Sequence, residues 1–203
     1  MDLAIAVATA GCAGAAFLLT PVARRFEARG FLHVPLAALL GALAAAVGTS
    51  WPHTLALCAA ALGSSLLIAV DIAVHRLPRL ILFPTYAAVT PLLMLAAALA
   101  GRWDLLTRAL LAALALGAFY LLLGVLAPTG IGFGDVLFAP LIGLVLGWFG
   151  WEQVAAGTIA AFVLAAFFAI VLMALRRAHA STRIAFGPWM AAGAIAGPLA
   201  LAL

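Results

Sequence analysis

The chain has 203 residues, of which 68% are hydrophobic and only 8% charged, with a mean hydropathy of +1.31. Those values exclude a water-soluble domain, and no polar stretch is long enough to build a second core, so the composition predicts one membrane domain over residues 1–203. The formal charge of +4 comes from ten arginines and no lysine. They sit in short breaks between apolar runs, which points to topology signals and lipid headgroups and away from nucleic acid.

In chain order, the apolar runs fall at about 2–20, 31–50, 52–70, 80–100, 107–127, 136–149, 153–175 and 184–203. Crossing a hydrocarbon layer of ~30 Å takes roughly 20 helical residues, so the run at 136–149 is short. The last run is interrupted by Gly and Pro. The runs are Ala/Leu-rich and do not alternate, which predicts an all-α, polytopic transmembrane helix bundle of about eight spans rather than a barrel. The chain opens Met1-Asp2, and its first basic pair, Arg24-Arg25, follows the first apolar run, so that run reads as a retained helix with its N-terminus outside. Cys12 and Cys58 lie in apolar runs without a C-x-x-C pair and read as small packing residues.

Arginine placement sets the expected orientation. With residues 21–30 in the cytoplasm, Arg24, Arg25, Arg29, Arg76, Arg79, Arg176, Arg177 and Arg183 share that side, and only Arg102 and Arg108 lie outside. Removing the short sixth span would divide the arginines evenly, so the bias supports that span. On this map Asp2, Asp104 and Glu152 fall at the outer face, and Glu27 lies in a basic loop where an ion pair is the ordinary expectation. Asp71 and Asp135 remain, each on the cytoplasmic side where a span meets a loop.

Asp71 closes the third span, and Pro78 marks the boundary before the fourth. A helix-end carboxylate paired with Arg76 or Arg79 is the better account of Asp71 taken alone. The second stretch, Gly130-Ile131-Gly132-Phe133-Gly134-Asp135, is more specific. Its glycines admit a second backbone, such as an extended substrate, and permit strained dihedrals before the helix that Asp135 opens. There the free amides and the macrodipole favour a carboxylate, and an ordinary N-cap explains Asp135 but not three alternating glycines. A third stretch, Phe186-Gly187-Pro188, reads by itself as an interfacial turn.

Together the three stretches resemble the type IV prepilin peptidase (leader peptidase) family, membrane aspartyl proteases of the Gly-x-Gly-Asp type. Asp71 seven residues before Pro78, Gly130, Gly132, Gly134, Asp135 and Val136 in the second motif, and Phe186, Gly187 and Pro188 in the third carry the resemblance. It implies that Asp71 and Asp135 are the catalytic pair and that no cofactor is needed. The implied substrate is a prepilin-like protein whose short basic leader, ending in Gly, precedes a hydrophobic helix and is cut at the cytoplasmic face of a bacterial plasma membrane. The chain departs from the family at Arg79, where Asp or Asn is usual, and at Leu137, where Lys is usual. It also has only the short stretch 21–30 where many members carry a zinc-binding domain linked to methylation, so the resemblance implies cleavage without methylation.

Elimination runs the same way. H-E-x-x-H is absent, a Ser/Lys dyad has no lysine, and Ser64 and Ser65 read as interhelical glue. His75 reads as a solvated loop residue near Asp71. In the expected dyad one proton is shared, with Asp71 as the acid and Asp135, at a helix N-terminus, as the base. Two other classes stay open: a proton-coupled transporter with an acidic relay, and a non-catalytic assembly subunit of a pilus or secretion apparatus that does not require both acids.

Overall fold

The computed structural model describes residues 2–28, 30–127, 131–176 and 185–202. Among them every regular element is helical. Four helices are long and apolar enough to cross a membrane: Trp51–Val74, Arg79–Ala100, Trp103–Leu126 and Trp151–Ala174. Helices close all their internal backbone hydrogen bonds within one segment, so uninterrupted apolar sequence takes this form in hydrocarbon. The chain divides into two compact units, Met1–Leu106 and Thr107–Leu203.

The first unit contains α1 (Leu3–Leu18), α2 (Thr20–Arg25), α3 (His33–Val47), α4 (Trp51–Val74) and α5 (Arg79–Ala100). Helix α4 packs against α3, α5, α1 and α2. Accordingly, 67% of its apolar window is buried, against 39% for α5. Small residues permit these approaches: Gly63 faces Thr85 of α5, and a methyl group on Gly41 would meet Cys12 Sγ at 2.7 Å. Cys12 joins Ala16 and Ala37 in a buried cluster against which Cys58 packs. Ser65, fully buried on α4, donates to the Leu62 carbonyl of its own helix at 2.8 Å. The stretch 21–30, expected to be all loop, begins instead inside α2, because Pro21 suits a first helical turn, where its missing N–H costs nothing. Thr20 and His33 close the base of this connection with a buried hydrogen bond of 3.1 Å.

The second unit contains most of α6 (Trp103–Leu126), with α7 (Phe133–Phe149), α8 (Trp151–Ala174) and α9 (Gly187–Ala202). Two Gly-x-x-x-Gly pairs set its closest contacts. Gly143 and Gly147 of α7 lie on the α6 backbone, where a methyl on Gly143 would meet the Ala112 carbonyl oxygen and Ala113 Cα, each at 2.6 Å. Gly193 and Gly197 of α9 lie on Gly157 and Ala161 of α8 in the same way, with Ala161 N 2.6 Å from a methyl on Gly193. At one end of this unit Arg108 caps α7, donating to the carbonyls of Gly147 at 2.8 Å, Trp148 at 2.6 Å and Phe149 at 3.2 Å. These are among the last four carbonyls of the helix, which have no intrahelical partner. Outward-facing Leu114, Ile159, Val163 and Phe167 give this unit an apolar exterior suited to lipid.

Candidate active site

The six acidic residues separate sharply by burial. Asp2, Glu27, Asp104 and Glu152 are exposed, whereas Asp71 is 4% and Asp135 8% exposed. A carboxylate withdrawn from water is costly and is retained where it has a role, so burial selects the two residues that the motifs selected. Asp71 belongs to the first unit and Asp135 to the second.

Helix α4 continues to Val74, so Asp71 lies inside its last turn instead of closing it. The helix stops because His75 takes a left-handed conformation (φ 52°, ψ 44°) and returns its N–H to the Asp71 carbonyl at 2.8 Å. The His75 ring is exposed. Three residues on, Pro78 is extended and caps α5, accepting from the amides of Ile81 at 3.0 Å and Leu82 at 3.2 Å. Arg79 opens that helix on an exposed face.

Asp135 is the third residue of α7. Its Oδ2 accepts the Gly132 N–H at 3.2 Å, the carboxylate half of a capping box. Gly132 has φ −72° and ψ 145°, a conformation open to any residue, so the dihedral freedom expected of this glycine is not used. Its missing side chain serves proximity instead: a methyl there would lie 3.1 Å from Asp135 Oδ2. Gly134 is the second residue of the helix, Leu137 is half-buried, and Gly130 lies outside the described residues.

Phe186 precedes α9 and accepts from the amides of Trp189 at 3.0 Å and Met190 at 3.1 Å, while Gly187 and Pro188 form the first turn. Its ring packs on Phe162 (centroids 5.2 Å apart) and Tyr120 (6.1 Å). Tyr120 is itself buried. The second unit thus packs Phe186 of the third motif against a buried tyrosine that the sequence reading passed over. A phenol inside an apolar span was its only signal, because a buried Tyr O–H ordinarily needs a polar neighbour.

No family model, curated protein or solved structure matches this chain. Chemistry therefore has to be argued from the groups themselves. A buried carboxylate that accepts a backbone amide is suited to a proton or a water, and Asp71 is a second buried carboxylate. Among the described residues no three His, Cys, Asp or Glu side chains form a group able to hold a metal ion.

Proposed function

We propose that this chain is a membrane aspartyl endopeptidase of the prepilin leader peptidase type. One observation carries the reading: of six acidic side chains, the two that are buried are the two aspartates in the Gly-x-Gly-Asp and Asp-to-Pro stretches, each within one turn of a helix end.

In the proposed reaction one carboxylate is ionised and takes a proton from water as the oxygen attacks the scissile carbonyl. The other is protonated and donates to the carbonyl oxygen. Asp135 is the proposed base, because the α7 macrodipole and the Gly132 N–H both favour its charged form. Asp71, in the last turn of α4 near the negative end of that helix dipole, is the proposed acid. The substrate is a prepilin-like protein with a short basic leader ahead of a hydrophobic helix, cut at the cytoplasmic face.

Incubation of the full chain in lipid nanodiscs with such a substrate tests the reading by mass spectrometry. Wild type should release the leader after its terminal Gly, and both Asp71→Asn and Asp135→Asn should abolish release while remaining inserted. Intact substrate with the wild-type chain, or cleavage by either variant at the wild-type rate, overturns it.

A further inference from the structure

Beside the last turns of α4, on the same unit as Asp71, lies a cleft of about 410 Å³. Glu27, Leu32 and His33 form one wall, and Ala69, Ile72 and Ala73 of α4 form the other. Glu27 is the only acid on this lining, and three features set it apart. It is exposed, and it makes no ion pair with any described residue, so the pairing expected within the basic loop is not formed with Arg24 or Arg25. Arg24, three residues before it, is engaged elsewhere, with its guanidinium 5.5 Å from the centre of the Phe31 ring.

The backbone adds a third feature. Glu27 has φ 63°, and it follows α2 in a Schellman arrangement, with its own N–H on the Arg24 carbonyl at 3.1 Å and the Ala28 N–H on the Ala23 carbonyl at 3.3 Å. Glycine is the usual residue there, and a side chain with a Cβ costs about 1 kcal/mol or more. A glutamate therefore holds a position where folding favours glycine, and this exposed residue lines the cleft.

We propose that Glu27 binds a cationic side chain of the substrate's leader and is a specificity-determining residue. The inference rests on the leader peptidase reading and adds a distance to it. Residues 69, 72 and 73 share one face of α4, whereas Asp71, about 100° per residue around the helix, lies on the opposite face. A chain leading from Glu27 to Asp71 has to round a helix about 10 Å across, and extended backbone covers at most ~3.5 Å per residue. The cation held by Glu27 therefore stands roughly three to five residues before the scissile bond, and basic residues closer to the cut contribute less.

Two readouts on the full chain in nanodiscs test this. First, binding of a fluorescent substrate with a single Lys four residues before the cut is measured in an Asp135→Asn background, which blocks cleavage from the other unit. Glu27→Gln should weaken binding by roughly fivefold, the upper end for an exposed ion pair, and the effect should fade at high salt. Second, a substrate carrying Glu in place of that Lys should bind poorly to the parent chain and be rescued by Glu27→Arg. Glu27→Gly, which relieves the backbone, serves as the folding control and should bind like Glu27→Gln. Equal affinity of parent and Glu27→Gln, or failure of the charge swap with folded protein, overturns the proposal. Charge-dependent binding without cleavage by the wild-type chain would refute the peptidase reading and leave the cation site standing.

Discussion

Asp135 has two competing explanations, a structural cap and a catalytic group, and two substitutions separate them. Asparagine keeps an oxygen that accepts the Gly132 N–H, while alanine removes it. At 3.2 Å the bond is long for one to a charged acceptor, so its contribution sits at the lower end of the capping range, about 0.5–1 kcal/mol. Removing the charge also forfeits a dipole interaction of about 0.5 kcal/mol, partly offset because a buried neutral group no longer has to be desolvated as an ion. Asp135→Asn should thus unfold within about 0.5 kcal/mol of wild type, and Asp135→Ala about 1 kcal/mol earlier. Reversible SDS titration followed by tryptophan fluorescence gives these stabilities, and leader release gives activity. If Asp135 is only a cap, activity follows stability and the asparagine variant cleaves normally. If it carries the reaction, both variants are inactive despite their different stabilities. An active asparagine variant beside an alanine variant that fails only by unfolding would refute the catalytic argument.

Two further substitutions act in opposite ways. Gly132→Ala suits the observed φ of −72°, so stability should hold or rise by about 0.5 kcal/mol, yet its methyl would press on the Asp135 carboxylate and cleavage should fall roughly tenfold. Unchanged turnover in that variant would show that the close approach is immaterial. Arg108→Met keeps an apolar stem but leaves three carbonyls at the end of α7 without their charged donor; an SDS unfolding curve should show a loss of about 2 kcal/mol, and wild-type stability would mean that water or headgroups replace the guanidinium at no cost.

The positions of the helices were legible from sequence because hydrocarbon imposes a single requirement, roughly twenty apolar residues whose backbone groups are satisfied internally. Each expected apolar run corresponds to a helix, the short run at 136–149 included as α7, and four of these helices are long enough to cross a membrane; Pro78 ends one connection where steric restriction on the preceding residue placed it. The glycine stretches at 143–147 and 193–197 also carry their pairing signal in the letters, since small residues four apart admit a neighbouring backbone. Side-chain environment was decided only in three dimensions. The carboxylates of Glu27 and Asp71 are chemically alike and both lie near arginines in sequence, but packing of α4 among its neighbours buries one and leaves the other at a cleft. Likewise, the reason for Gly132 is the position of an oxygen three residues on, and Tyr120 of α6 meets Phe186, the residue before α9, across 66 positions. Periodicity and composition report what each segment needs from its solvent. Which side chains meet depends on how segments far apart in sequence approach one another, and a single segment carries no record of that.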